Sequence, residues 1–187
     1  MIIIYDSKET NFNNNGLGTL NPSLCTITEI TNSEYSVSLR HGFDANNKWK
    51  LIETDRVIKA KGQYFRIAKV QETLTEIVAY AIHIFYDLNK NFIEDSNVVD
   101  KTGSQALSHI LSSTVYPHNF TATSDITNIT GSRLVRKNVV QCLLSDDENS
   151  FMNRWGGEIK RDNFSFSINQ INGNDNGVNI NYFLLLC

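Results

Sequence analysis

Hydrophobic residues alternate with polar ones along much of residues 2–88, as they do in strands that bury one face. Residues 2–5 predict a short opening strand, and residues 25–39 predict a hairpin that turns at Asn32–Ser33. The run IVAYAIHIFYDL, residues 77–88, is almost continuously apolar, which is typical of a central strand covered on both faces. This part of the chain is therefore predicted to form antiparallel strands.

The pattern changes in the middle of the chain. Apolar residues recur at helical spacing within residues 104–115, which predicts a helix capped by Asp100 or Thr102. A second, short helix is predicted to follow Asn138, whose side chain is suited to cap it. Strict alternation then returns, and the Asn- and Gly-rich segment 172–177 predicts the turn of a final hairpin.

This order of strands, a helical stretch and strands again predicts an α+β fold. The framework is expected to be β-rich, with a small β-barrel or antiparallel sheets, and to carry an α-helical insertion in the middle of the chain. Three parts are predicted: a β-rich N-terminal domain over residues 1–88, a helix-containing insertion over 89–150, and a β-hairpin region over 151–187. The last part is predicted to begin a further β-domain that is truncated.

Charge, apolar segments and cysteines indicate which kinds of partner and location are not expected for this chain. The 17 Lys and Arg against 20 Asp and Glu give a net charge of −3, and no basic stripe is present, so nucleic-acid readout is not expected. No segment has the length of a membrane-spanning helix, and the opening apolar run is too short for a signal peptide. Cys25 and Cys142 lie among apolar residues and are predicted to be small buried hydrophobes, which suits synthesis in a reducing cytoplasm.

No catalytic, cofactor-binding or metal-binding site is predicted. The chain has four histidines, none at the spacing of a local metal site: His41, His83, His109 and His118. His83 lies in the apolar strand and is expected to be a hydrogen-bonded structural residue. Two Asn-rich segments that begin at Asp87 and Asn172 lack the ligand pattern of a calcium loop.

Four strings together resemble the prophage tail endopeptidase family, whose members are also called phage minor structural proteins or tail-associated lysins. They occur in order over nearly the whole chain: MIIIYDSKETNFNNNGLGTL (1–20), AYAIHIFYDLNKNFIED (79–95), RKNVVQCLLSDDENSFMNRWGGEIKRDNFSF (136–166) and NGNDNGVNINY (172–182). The third is the most specific, above all in its Asn-Ser-Phe and Arg-Trp-Gly-Gly-Glu-Ile.

The resemblance implies a structural tail hub at the virion tail tip, similar to the central baseplate hubs of contractile-tailed phages. It implies a homotrimer whose partners are other tail proteins, namely the distal tail protein and the tape measure. The peptidoglycan-cleaving modules of longer members lie further toward the C-terminus, so this chain is not expected to be an enzyme. The apolar ending, residues 182–187, departs from the family and is interpreted as a truncation or frameshift.

Two other functions stay open. A peptidoglycan endopeptidase would use His83 or His109 with a nearby carboxylate. A module that binds a host receptor or carbohydrate would use Trp49 in its polar loop. In the structural hypothesis, Trp49, Trp155 and the aromatic residues of 80–86 are candidate interface anchors, although core packing is the favoured role for each.

Overall fold

A computed structural model describes residues 2–171 and, for the backbone, 183–186. Its strands are β1 (Ile2–Tyr5), β2 (Gly18–Leu20), β3 (Leu24–Glu29), β4 (Tyr35–Gly42), β5 (Val57–Ala60), β6 (Gln63–Glu72), β7 (Glu76–His83), β8 (Phe92–Lys101), β9 (Thr121–Thr123), β10 (Thr130–Asn138), β11 (Glu158–Asp162), β12 (Ser165–Asn169) and β13 (Phe183–Leu186). Its α-helices are α1 (Gly103–Ser112), α2 (Val139–Leu144) and α3 (Phe151–Trp155), and Lys48–Leu51 and Ile84–Lys90 form 3₁₀ helices.

The described residues form two compact units. Unit 1 comprises residues 2–30, 34–84 and 183–186, and unit 2 comprises residues 31–33 and 85–171. The predicted α+β class with a β-rich framework is confirmed. The three-part division drawn from the sequence stays a prediction, because compactness alone does not define sequence domains.

Unit 1 is built on one antiparallel sheet of eight strands. The strand order is β13-β3-β4-β7-β6-β5-β1-β2, and the sheet is curled. The predicted hairpin between β3 and β4 is confirmed, and it turns at Asn32, whose φ of 57° lies in the left-handed region that Asn tolerates. Three neighbouring pairs, β3–β4, β5–β6 and β6–β7, are joined by short turns that set their register.

The buried face of this sheet carries rows of large and small side chains across the strands. Ala81 on the central strand β7 lies opposite Val37 on β4 and Ile67 on β6, and all three are buried. The prediction that this central strand is covered on both faces is wrong: Tyr80 points to the other face and is 39% exposed. The strand buries alternate residues, and its outer apolar residues are only partly covered.

A loop over residues 6–17 covers part of that other face. The Tyr5 ring packs edge-on against Phe12, with ring centroids 5.1 Å apart, and its hydroxyl donates to the Phe12 carbonyl at 3.1 Å. Gly16 has a φ of 60°, and a Cβ there would lie 2.3 Å from the Ile4 carbonyl oxygen. The loop therefore needs glycine at this position, which explains the Gly in the opening NNNG string.

Unit 2 packs its three α-helices against a two-stranded ribbon, β8–β10, and a three-stranded sheet of order β11-β12-β9. Its core contains apolar side chains from all of these elements, among them Ile93, Leu107, Leu134 and Phe166. Residues 89–150 were predicted to be a helix-containing insertion; they contain α1 and α2, and also the two long strands of the ribbon, which were not predicted. Strand β8 escaped notice because charged and polar side chains occupy most of its exposed positions.

Both predicted helices of unit 2 begin at the expected caps. Thr102 and Gln105 form a capping box at the start of α1, and Asn138 and Gln141 form another at the start of α2. Helix α1 ends at Ser112, within the predicted range 104–115. The Ser113 amide still donates to the His109 carbonyl, whereas the Val115 amide donates to the Phe92 carbonyl of β8.

The Trp-Gly-Gly string after α3 is explained by backbone geometry. Gly156 and Gly157 have φ values of 75° and 103°, and a Cβ on Gly157 would lie 2.7 Å from the Asn169 carbonyl oxygen. Asn32 belongs to this unit, where its side chain donates to the Gly157 carbonyl at 3.0 Å and accepts from the Ile159 amide at 2.8 Å. The predicted hairpin turn at 172–177 lies outside the described residues.

Cys25 and Cys142 are both buried free thiols, as predicted. Burial raises the pKa of the Cys142 thiol to about 11, which outweighs the opposing effect of Lys137. A buried thiol with so high a pKa carries little of the reactive thiolate at neutral pH.

Leu107 provides the first test of the fold, because it lies on the buried face of α1 and is 0% exposed. Leu107→Ala is expected to lower the free energy of unfolding by about 2–5 kcal/mol, since it removes buried methyl groups and leaves a cavity. Urea denaturation measures the change. The matched control is Leu74→Ala, at a residue that is 98% exposed, which is expected to change stability by less than about 0.5 kcal/mol. Equal effects of the two substitutions would contradict the fold.

The second test is alkylation of Cys142 by iodoacetamide at pH 8, followed by peptide mass spectrometry. A pKa of about 11 gives about 100-fold less thiolate than the usual value of 9.0, and burial further blocks the reagent. Labelling is therefore expected to be slow in buffer and fast in denaturing urea. The Cys142→Ala variant identifies the labelled peptide. Equally fast labelling in both conditions would show that this thiol is not buried.

Candidate interaction surfaces

His83 is a structural residue of unit 1. It is fully buried, its Nε2 lies 3.0 Å from the Gln63 Oε1, and its ring stacks on Tyr35 with centroids 4.5 Å apart. Phe65 packs edge-on against the same ring. The expectation of a hydrogen-bonded structural histidine is confirmed, and this environment gives no support to a role in peptide hydrolysis.

The other histidines also bond to the framework. His109 Nε2 lies 2.9 Å from the Ser96 hydroxyl, and Ser96 is itself buried. His41 Nδ1 lies 2.7 Å from the Gly42 carbonyl oxygen, and His118 Nε2 lies 3.1 Å from the carbonyl of the last buried leucine in α1. Each histidine is therefore held by its own local hydrogen bond.

Within residues 2–171, no group of three or more His, Cys, Asp and Glu side chains is arranged to hold a metal ion. Over the same described part of the chain, no helix has the length and apolar character needed to span a membrane.

Trp155 is a core residue of unit 2. Its ring stacks on Phe151 with centroids 5.0 Å apart, and its Nε1 donates to the Lys101 carbonyl at 3.0 Å. Phe85 is fully buried in the same unit, and the Tyr86 hydroxyl donates to the Ser33 carbonyl. Core packing, which the sequence favoured, is therefore the role of Trp155 and Phe85.

Trp49 lies in an aromatic corner of unit 1. Its ring packs against the exposed Phe43 with centroids 4.7 Å apart, and the Lys50 ammonium lies 5.4 Å from the ring centroid. These two neighbours occupy ring surface that a stacked sugar would need. The corner therefore fits a protein contact better than a carbohydrate platform.

The carboxylate of Asp44 makes that corner rigid. Desolvation acts to raise the pKa of Asp44, but the backbone amides of Lys48, Trp49 and Asn46 donate to its carboxylate and hold the pKa below its usual range. The charged carboxylate thereby fixes the turn that leads into the 3₁₀ helix.

The outer face of the unit 1 sheet is polar. A row across four strands contains Thr26, Ser38, Tyr80 and Lys69 in register, and the Tyr80 hydroxyl donates to the Glu34 carboxylate at 3.0 Å. Of the aromatic residues 80–86, Tyr80 is thus one that the structure places at a surface.

Sequence reasoning missed an exposed aromatic residue of unit 2, Tyr116. This residue is 58% exposed. Its backbone is held by the Asn91 side chain, which accepts from the Tyr116 amide at 3.1 Å and donates to the Tyr116 carbonyl at 2.7 Å. The adjacent Val115 amide donates to the Phe92 carbonyl at 3.0 Å. The Tyr-Pro that ends the helical pattern was its only sequence signal.

Comparison with solved structures identifies a similar fold. The crystal structure of prophage tail protein gp18 from Listeria monocytogenes EGD-e superposes with a TM-score of 0.69 at 18% sequence identity, covering 90% of this chain and 50% of that chain. The present chain thus spans about half the length of that protein. The match shows the shared fold.

A second structure is more distant. The E. coli c3393 protein, described as a component of the type VI secretion system with structural similarity to T4 bacteriophage tail proteins gp27 and gp5, matches with a TM-score of 0.48 and 7% identity. That match covers 80% of this chain and 46% of the other. Among curated protein sequences, none matches the chain significantly.

A family model matches the sequence of unit 1. Residues 2–83 match the model of the prophage endopeptidase tail N-terminal domain, which covers all of β1 to β7. The resemblance drawn from the sequence strings is confirmed. Residues 2–83 are therefore similar to the prophage endopeptidase tail N-terminal domain.

Proposed function

We propose that this chain is a structural component of a phage or prophage tail tip, with the role of a baseplate hub. The family match over residues 2–83 is the observation that carries the proposal. The shared fold with a prophage tail protein over 90% of the chain supports it. Such a component functions in assembly, so its functional features are the surfaces that contact neighbouring proteins.

The environments of the histidines favour this role over peptide hydrolysis. A general base or a zinc ligand must reach a substrate, whereas His83 is buried and stacked, and His109 bonds to a buried serine.

The proposal includes a homotrimer that contacts other tail proteins. A ring around a three-fold axis needs a heterologous interface, in which two different surfaces of each copy meet. Both units offer exposed side chains on rigid backbone, for example Phe43 beside Trp49 in unit 1 and Tyr116 in unit 2. Rigid aromatic residues lose little entropy on binding, so they are suited to such contacts.

The tail-tip location is tested on particles released after induction of the prophage or infection by the phage. Antibody raised against the purified chain and coupled to gold is expected to label the end of the tail that is distal to the capsid. Particles from a deletion of the coding sequence provide the control for antibody specificity. Labelling at the capsid, or particles free of the chain, would contradict the proposal.

The homotrimer is tested by light scattering coupled to size-exclusion chromatography over a wide range of protein concentration. The expected mass at high concentration is three times the chain mass of 21.2 kDa, because association follows mass action. A mass of one chain at every concentration would contradict self-association of this chain.

A further inference from the structure

His118 lies in the connection between helix α1 and strand β9 of unit 2, and both nitrogen atoms of its ring bond to backbone groups. The Nε2 atom lies 3.1 Å from the Leu111 carbonyl oxygen, and the Phe120 amide donates to Nδ1 at 3.1 Å. Leu111 belongs to the last turn of α1, and Phe120 directly precedes β9. The ring therefore ties together the two elements that the connection joins.

These two partners determine where the ring carries its hydrogen. A carbonyl oxygen can only accept a hydrogen bond, so the Nε2 atom of His118 must carry the hydrogen. A backbone amide can only donate, so the Nδ1 atom must carry none. The ring is therefore held as the neutral imidazole. Protonation at Nδ1 replaces the acceptor of the Phe120 amide by a second N–H group, and the two then face each other without a hydrogen bond.

Other histidines lack this constraint. The Nε2 atom of His109 lies 2.9 Å from the Ser96 hydroxyl, which can either donate or accept a hydrogen bond. His41 bonds through Nδ1 to the Gly42 carbonyl oxygen, which accepts from the neutral and the protonated ring alike. Protonation of His109 or His41 thus preserves these hydrogen bonds, whereas protonation of His118 breaks one.

The part of the connection before His118 is held by groups that do not titrate. The Asn91 side chain bonds to both backbone groups of Tyr116, and the Thr114 hydroxyl donates to the Leu111 carbonyl at 3.0 Å. These hydrogen bonds are the same for the neutral and the protonated imidazole. Loss of the bond between His118 and the Phe120 amide therefore leaves Tyr116 in place and affects the residues that follow.

The part of the connection after His118 leads into an edge strand. Phe120 packs its ring against Phe164 with centroids 5.4 Å apart, and the Thr121 amide donates to the Phe164 carbonyl at 3.0 Å. Strand β9 has three residues and pairs with β12 at the edge of its sheet. Because so short a strand makes few ladder hydrogen bonds, the contacts at its start contribute much of what holds it.

The elements that contact α1 and β9 are β8, β12 and α2. With α1 and the connection, they contain these titratable or charged side chains: Glu94, Asp95, Asp100, Lys101, His109, Tyr116 and Cys142. Among the described residues, none of these groups forms a hydrogen bond or an ion pair with the His118 ring, whose polar partners are the Leu111 carbonyl and the Phe120 amide. The response of the ring to acid is therefore expected to depend on these two backbone groups.

We infer that His118 makes the connection between α1 and β9 sensitive to acid. Near neutral pH the uncharged ring accepts from the Phe120 amide; below the usual titration range of histidine, the ring binds a proton at Nδ1 and releases that amide. The bond from Nε2 to the Leu111 carbonyl persists, because a positive ring is favourable at the C-terminal end of a helix. Acid thus keeps the ring on α1 and frees the start of β9 from it. The inference concerns unit 2 alone and does not depend on the trimer.

The test is NMR spectroscopy of the full chain labelled with ¹⁵N. At about pH 7.5, the long-range ¹⁵N–¹H spectrum of the imidazole rings is expected to show hydrogen on Nε2 of His118 and none on Nδ1. After correction for the intrinsic effect of pH, the Phe120 amide is expected to exchange with solvent about fivefold faster at about pH 5 than at about pH 7.5, because it loses a hydrogen bond. Hydrogen on Nδ1 near neutral pH, or an unchanged corrected exchange rate, would overturn the inference.

Two substitutions separate the hydrogen bond from the charge. In His118→Asn, the Oδ1 atom can accept from the amide two residues further on, as in an Asx-turn, and it does not titrate. This variant is expected to keep slow exchange of the Phe120 amide at both pH values. His118→Ala offers no acceptor and is expected to exchange fast at both. The comparison of the wild type with His118→Asn decides the test even where His118→Ala fails to fold, and an acid response that persists in His118→Asn would overturn the role of His118.

His109→Gln is the matched control, because it removes the other histidine at the end of α1 and its amide can still bond to the Ser96 hydroxyl. The acid response of the Phe120 amide is expected to remain as in the wild type. Loss of that response in His109→Gln would assign the effect to His109 and contradict the inference. Circular dichroism and urea denaturation verify that each variant is folded at both pH values.

Discussion

The sheet of unit 1 has to bury its apolar face through its own curvature, and much of the unit follows from this constraint. A flat sheet of these strands would leave Leu39, Phe65 and their neighbours open to water. Curvature is possible because the central strand β7 places Ala79 and Ala81 between larger residues on both sides. Small side chains at the centre and larger ones on the flanking strands are compatible with a curled sheet whose apolar face is buried.

The outer face of the same sheet carries polar side chains. Threonine, serine and lysine side chains occupy it in register, with Tyr80 among them. The loop over residues 6–17 covers part of this face. Contacts between Tyr5 and Phe12 hold the loop, and Gly16 cannot be replaced by another residue without strain.

Local signals in the sequence predicted more of this molecule than long-range ones. Asn138 caps α2 through contacts within four residues, and the Asn32–Ser33 turn likewise depends on residues nearby, so both were predictable. The two hydrogen bonds between Asn91 and Tyr116 join residues far apart in sequence, and no pattern in either segment predicts them. The hydrogen bond from the Trp155 ring to the Lys101 carbonyl likewise joins residues far apart in sequence.

Strand β8 shows why the β8–β10 ribbon could not be predicted from hydrophobic periodicity. A strand that buries one side in a core and offers charge on the other contains too few apolar residues to be recognised, as Glu94 and Asp95 show. Here the acidic residues collect on one strand and the basic residues on its partner, Arg136 included. Because β8 and β10 are hydrogen-bonded neighbours, that separation places opposite charges next to each other across the ribbon, as the Asp95–Arg133 ion pair shows, and such cross-strand pairs are favourable within a single chain.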